Sequence, residues 1–162
     1  MVILGIDPGL AIIGWGVIEA HRGNFRPIAC GDIRTPAHTT VESRLDIIYR
    51  ELGRIIEKYK PDAIAIEELF FNRNTTTAIG VAQGRGSVLI AAAKTSTPIY
   101  EYTPLQVKQG VTGYGRADKK QVQMMVKTVL GLEKVPKLDD TTDAIAIAIC
   151  HAHSHRFAKT IQ

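Results

Sequence analysis

The 162 residues carry a net charge of +4 and are 45% hydrophobic and 22% charged, which excludes intrinsic disorder and suits a single domain spanning residues 1–162. No run approaches the ~20 apolar residues of a membrane span, and the apolar start ends at Asp7 without a signal-peptide cleavage site, so we expect a cytoplasmic protein. Residues 1–67 hold 8 basic and 9 acidic side chains, whereas residues 68–162 hold 12 and 7, which favours a polyanionic partner for the second part.

Three strand-like runs open the chain, at residues 2–6, 14–19 and 25–34, and turn-forming residues separate them. Their order predicts an antiparallel meander. The first run is apolar on both faces, which predicts a central strand that is covered on two sides.

Strands and helices alternate in the rest of the chain. Apolar residues at helical spacing predict a helix over residues 42–59, and a Gly- and Ala-rich helix follows at 75–94. Short strands are predicted at 62–67 and 99–102, and further helices at 104–111, 119–130 and 141–153. This order predicts an α/β fold in which a mixed five-stranded sheet has helices on both faces.

Four acidic residues stand where a metal site would need them. Asp7 follows one buried strand, Glu67 ends another, and Asp140 and Asp143 lie three residues apart at the start of an apolar helix. Residues at i and i+3 share a helix face, and magnesium prefers carboxylate oxygens. Each aspartate alone also fits a structural role in a turn or a helix cap. Asp139 lies four residues before Asp143, so spacing leaves the choice between Asp139 and Asp140 open.

Several sequence blocks resemble, in order and spacing, the RuvC family of bacterial Holliday junction resolvases: ILGIDPG with GWGVI, AIEELFF, QVKQGVTGYGRADKKQVQ and DDTTDAIAIAICH. The resemblance covers nearly the whole chain. It implies an RNase H-like fold and a homodimer that nicks opposing strands of a four-way DNA junction at symmetric positions. It also implies a role in recombination and repair, with 5′-phosphate and 3′-hydroxyl product ends.

The resemblance assigns the site residues by motif. Asp7, Glu67, Asp140 and Asp143 match the catalytic, metal-binding carboxylates of the family, which selects Asp140 over Asp139. Two magnesium ions about 4 Å apart, with Mn²⁺ as a possible substitute, would activate water and stabilise the leaving oxygen. The implied partners are the RuvA and RuvB proteins of the branch-migration helicase complex.

The same resemblance suggests residues that contact DNA. Phe70 matches a position whose ring stacks on a base of the opened junction, and base stacking is worth ~1 to 3 kcal/mol. Lys108 and Lys119 match positions near the scissile phosphates, with a solvated surface lysine as the alternative interpretation. Four further candidates have weaker support: Phe71, Arg73, Arg85 and Arg116.

Small residues recur along the helix at 75–94, where Gly80, Ala82, Gly84 and Gly86 predict a close backbone approach. Two copies of the helix crossing at a two-fold axis would fit the family dimer, and packing within one chain is the alternative. His151, His153 and His155 lie near the end of the last predicted helix. We explain them by interaction with the helix dipole and with solvent, in preference to metal binding.

Three other functions remain open at this point. The IDPG strand and turn also open the sugar kinase, actin and heat-shock ATPase fold, although those proteins are much longer. RNase H-like nucleases that act on precursor ribosomal RNA share the opening strand and a carboxylate set, but the QVKQ and ADKKQVQ blocks argue against them. A non-catalytic junction-binding protein is disfavoured because unpaired acids weaken binding to a phosphate backbone.

Overall fold

The structure is a computed structural model that describes residues 1–69, 75–133 and 139–160. Its strands are β1 (Val2–Asp7), β2 (Ile12–His21), β3 (Asn24–Arg34), β4 (Ala63–Glu67) and β5 (Ile99–Tyr102). Its helices are α1 (Val41–Tyr59), α2 (Thr75–Ala93), α3 (Pro104–Thr112), α4 (Lys119–Val129) and α5 (Asp139–Thr160). All ten elements overlap the predicted ones.

The strands form one mixed sheet in the order β3-β2-β1-β4-β5. The first three strands are an antiparallel meander, and β4 and β5 extend the sheet in parallel with β1. The predicted central position of β1 is confirmed, since it pairs with β2 on one side and with β4 on the other.

Helices cover both faces of the sheet, as predicted. Leu4 and Ile66 point into one apolar layer, which is completed by buried residues of α1 and α2. Ile3 and Ala65 point into the opposite layer, which is completed by α3, α4 and α5. Side chains alternate between these layers because successive residues of a strand face opposite sides.

The last helix is longer than the sequence predicts. It continues past residue 153 to Thr160, because no glycine or proline interrupts the segment. His151 therefore lies inside the helix, is 1% exposed, and shares a 2.7 Å hydrogen bond between its Nδ1 and the Tyr102 hydroxyl. His153 Nδ1 donates to the Gly110 carbonyl at 2.6 Å. The solvent interpretation is thus wrong for His151, whereas His153 is only partly buried.

Two glycines of α2 allow close packing within the chain itself. A Cβ on Gly84 would overlap the carbonyl of Gly9, and one on Gly80 would press on the side chain of Leu10. A Cβ on Gly86 would meet nothing within 4 Å. The predicted close approach therefore exists at two positions, and it joins α2 to the turn after β1.

None of the helices in the described part of the chain combines the length and apolar character that a membrane span requires.

Candidate active site

Asp7 and Glu67 lie on the same face of the sheet because side chains alternate between the two faces of a strand. Asp7 follows Ile3 and Gly5 on the α5 face of β1, and Glu67 follows Ala65 on the same face of β4. The two strands are parallel, and the register pairs Ile6 with Ile66. Asp7 and Glu67 therefore end neighbouring strands at the same edge of the sheet.

Glycines let α5 approach this edge closely. Gly14 is the register partner of Asp7, and a Cβ on Gly14 would overlap the backbone carbonyl of Asp140. A Cβ on Gly5 would likewise overlap the carbonyl of Ala144. The absence of side chains at these positions sets the first turn of α5 directly against the end of β1.

The result is a compact carboxylate cluster. One oxygen each from Asp7, Asp140 and Asp143 lie within 4.8 Å of one another, and this is the only such group of potential metal ligands found among the described residues. Glu67 is outside that group but lines the same cavity of about 260 Å³ as Asp7 and Asp143. Asp140 lines a different groove of about 480 Å³ that borders the turn after β1.

The electrostatics of the cluster favour a bound cation. Burial, reinforced by the charges of Glu67, Asp143 and Asp140, raises the pKa of Asp7 to about 8. Burial is also the largest cause of the raised pKa values of Glu67 and Asp143. Carboxylates in such surroundings ionise only against a cost, which a divalent cation would remove. The oxygen-only donor set suits magnesium, which prefers hard carboxylate ligands.

Two predicted lysines lie at the same cavity. Lys108 belongs to α3, and its charge acts to lower the pKa of Glu67. Lys119 is the first residue of α4, and its Nζ lies 3.2 Å from Asp143 Oδ2 and 3.3 Å from Asp139 Oδ2. Asp118 caps α4 through a reciprocal capping box with Gln121, which fixes the helix start that carries Lys119.

The other predicted DNA contacts are placed less fully. Phe70, Phe71 and Arg73 lie outside the described residues, so their roles stay predictions. Arg116 is exposed in the connection between α3 and α4, two residues before the cap of α4. Arg85 of α2 is largely buried and forms an ion pair with Glu101 of β5 at 2.6 Å, so its predicted contact with phosphate stays a prediction.

The comparison with protein families decides the assignment. The family model described as crossover junction endodeoxyribonuclease RuvC matches residues 3–151. This chain belongs to the RuvC family. A RuvC from Clostridioides difficile is 55% identical over 162 residues, covering 100% of this chain and 96% of the relative. A RuvC from Desulfitobacterium hafniense is 60% identical over 154 residues, covering 95% of this chain and 93% of the relative.

A solved RuvC structure confirms the predicted RNase H-like fold class. The Thermus thermophilus RuvC in complex with a Holliday junction substrate has a TM-score of 0.93 and 35% identity, over 98% of this chain and 96% of that one. The family assignment makes the sugar kinase interpretation unnecessary, and it favours a nuclease over a protein that only binds DNA.

Sequence reasoning missed the glycines that hold the RuvC site together. Gly14 and Gly16 stand two apart in β2, and both face α5. Glycine at alternate positions of a strand is a recognisable sign of close backbone approach. The ion pairs of Lys119 had no comparable sign, because they join residues that are 20 and 24 positions apart in the sequence.

Proposed function

We propose that this RuvC family member is a crossover junction endodeoxyribonuclease that hydrolyses phosphodiesters at symmetric positions of a four-way DNA junction. The products carry 5′-phosphate and 3′-hydroxyl ends. The convergence of Asp7, Asp140 and Asp143 in a chain of this family carries the proposal. The Thermus thermophilus relative, whose structure includes a Holliday junction substrate, supports DNA of that shape as the substrate.

The proposed cofactor is Mg²⁺, with Mn²⁺ as a substitute and two ions at each site. The described residues fit such ions because oxygen ligands converge at a place where burial already disfavours their charge. The proposed ligands are Asp7, Glu67, Asp140 and Asp143. When bound, divalent ions polarise the phosphodiester and lower the pKa of water.

The chain itself supplies orientation and countercharge. Val107, Val122 and Ile147 form an apolar floor beneath the carboxylates, and a floor of this kind strengthens electrostatic interactions at the cavity. Lys108 and Lys119 at its rim are proposed to contact phosphate oxygens. Phe70, Phe71, Arg73 and Arg116 are proposed to contact the bases and backbone of the junction.

We also propose that the protein is a homodimer built around α2. Ile79 and Ile90 are 68% and 57% exposed, although they are large apolar residues. Together with Gln83 and Gly86 they follow the spacing of one helix face, and Gly86 leaves open space there. An isologous contact through this stripe would create two equivalent active sites, as symmetric nicking requires.

Two further expectations rest on family membership, and a third rests on the fold. The RuvA and RuvB proteins of the branch-migration complex are the proposed partners, and the junction substrate is consistent with a cytoplasmic location. A single domain over residues 1–162 is supported by the two apolar layers, which share one central sheet.

The deciding experiment uses a four-way DNA junction that is end-labelled on each strand in turn. We expect paired nicks at symmetric positions with Mg²⁺, no cleavage with EDTA, and none from an Asp7→Asn variant. Ligation of the products by DNA ligase checks the 5′-phosphate and 3′-hydroxyl ends.

The same assay separates the alternatives. Cleavage of precursor ribosomal RNA in preference to the junction would indicate an RNA-processing nuclease. Metal-independent binding of the junction without nicks under any divalent ion would indicate a protein that only binds DNA.

A further inference from the structure

Lys119 joins the carboxylate cluster to an acid outside it. Its Nζ lies between Oδ2 of Asp143, at 3.2 Å, and Oδ2 of Asp139, at 3.3 Å. Asp143 belongs to the group of convergent carboxylates, and Asp139 does not. One ammonium group is thus shared between a proposed metal ligand, Asp143, and a carboxylate outside the cluster, Asp139.

The second oxygen of Asp139 also accepts a hydrogen bond from α4. Gln123 Nε2 donates to Asp139 Oδ1 at 3.0 Å, and Gln123 lies one turn after Lys119 on the same helix face. The two oxygens of Asp139 therefore bind two side chains of α4. Asp139 is a link between the start of α5 and the start of α4, and both helices line the cavity.

Stability alone does not explain this link. Lys119 and Asp139 have side chains that are 51% and 64% exposed, and exposed ion pairs contribute little to folding. The contact instead fixes where the ammonium group stands. The nearby carboxylates raise the pKa of Lys119 even though its partial burial acts in the opposite direction, so the group stays charged.

A divalent ion and Lys119 compete for Asp143. Both are cations, and at separations of a few ångströms they repel each other strongly where water is partly excluded. A metal ion that binds Asp143 Oδ2 would therefore displace the ammonium group from that oxygen. A free lysine side chain regains rotamer freedom, so it would leave the rim unless another partner retained it.

We propose that Asp139, supported by Gln123, is a positioning residue that retains Lys119 at the rim of the site while Asp143 exchanges the ammonium group for divalent metal. This inference rests on the proposed function. It gives Asp139 a role distinct from that of Asp140: Asp139 holds the lysine that faces the phosphate, and Asp140 binds metal.

Asp139 should affect the affinity for metal even when no DNA is bound. In wild type, Asp139 draws Lys119 partly away from Asp143. In Asp139→Asn, Asp143 is the one carboxylate among the described residues that remains within 4 Å of the ammonium group, so Lys119 competes harder with metal. Asparagine still accepts the hydrogen bond of Gln123, so the change removes the charge and leaves the shape.

The test measures Mn²⁺ affinity of the DNA-free protein by electron paramagnetic resonance in a double-mutant cycle. Asp139→Asn should weaken Mn²⁺ binding roughly three- to fivefold, the range expected for loss of one exposed ion pair. Lys119→Met should tighten binding. In the Lys119→Met background, Asp139→Asn should change the affinity by less than about twofold.

Asp118→Asn is the matched control. It removes one negative charge next to Lys119, and asparagine caps a helix as well as aspartate does. Its Mn²⁺ affinity should stay within about twofold of wild type. Circular dichroism melting of each variant checks that the fold is intact.

Each outcome bears on a separate claim. If wild type and Asp139→Asn bind Mn²⁺ equally, or if the effect of Asp139→Asn persists at full size with Lys119→Met, Asp139 does not position Lys119 and the inference is overturned. If wild type binds no Mn²⁺, the proposed function fails first and this inference fails with it.

Discussion

Asp7 and Gly14 are register partners across β1 and β2, and the space beside the Gly14 α-carbon is occupied by the backbone of Asp140. The missing side chain is therefore what lets a strand carboxylate and a helix carboxylate meet. Three oxygens within 4.8 Å depend on this contact.

Gly14→Ala should damage the site through this contact. Because the new Cβ overlaps a backbone carbonyl, α5 must shift, at a cost of about 1 to 3 kcal/mol typical of overpacking. We expect junction cleavage to fall at least about tenfold, since displacements near 1 Å have such effects. Thermal melting and single-turnover cleavage measure the two effects.

Gly53→Ala provides the matched glycine control. Gly53 lies inside α1, and a Cβ there meets nothing within 4 Å. This change should stabilise the protein by up to about 1 kcal/mol and leave cleavage unchanged. Equal losses of activity in the two variants would contradict the role given to Gly14.

The pH dependence of stability follows from Asp7. Its folded pKa of about 8 exceeds the unfolded value of 3.8, so the folded state holds a proton that the unfolded chain releases. The metal-free protein should lose stability as the pH rises from 3.8 towards about 8. Asp7→Asn cannot ionise, so its melting temperature should exceed that of wild type by a margin that grows with pH.

Scanning calorimetry in EDTA between weakly acidic and weakly alkaline pH measures this margin. For a chain of this size each 1 kcal/mol shifts the melting temperature by about 2–4 °C. Added Mg²⁺ should raise the melting temperature of wild type more than that of the variant. A difference between the two proteins that is constant with pH would show that Asp7 is not the responsible group.

Lys108→Met should slow cleavage by about 100-fold, the lower end of the range for loss of one group that stabilises transition-state charge. Lys108 lines the cavity, and its charge opposes the raised pKa of Glu67. The variant should therefore also need a higher pH for full metal binding. Rates measured at saturating junction concentration across a pH series report both effects.

Lys120→Met is the control for that variant. Lys120 is exposed on α4 beside Lys119 and does not line the cavity. Lys120→Met removes one positive charge, as Lys108→Met does. If both variants lose the same fraction of the cleavage rate, general attraction of DNA explains both results.

Ile90→Glu should dissociate the proposed dimer. Burial of an isoleucine contributes about 1.5 to 3 kcal/mol, so the dissociation constant should rise by at least about tenfold. Sedimentation velocity over a concentration series measures the change. Leu105→Glu, at a side chain that is similarly exposed but lies on α3, should sediment like wild type. A monomeric wild-type protein would contradict the stripe as an interface.

The sequence alone predicted the elements and their faces. Alternating and helical apolar patterns located all ten elements because burial on one face leaves a period of 2 or 3.6 residues. The predicted end of α5 at residue 153 is wrong, because no glycine or proline follows there and the helix continues to Thr160. The four acids are candidates because they stand together at the ends of two apolar strands and at the start of an apolar helix, and because the resemblance to the RuvC family matches each of them by motif.

Local patterns and motif order were enough to predict the fold class, the family and the four candidate carboxylates. Which of these groups meet depends on the packing of segments that are distant in the chain. This packing brought Asp140 beside Asp7 through a glycine in β2, and it gave Asp139 to Lys119 and Gln123. Asp139 and Asp140 are adjacent on a helix, so their side chains point in different directions. Sequence alone does not say what each direction faces, and only the packing against β2 and α4 distinguishes the proposed metal ligand from the proposed positioning residue.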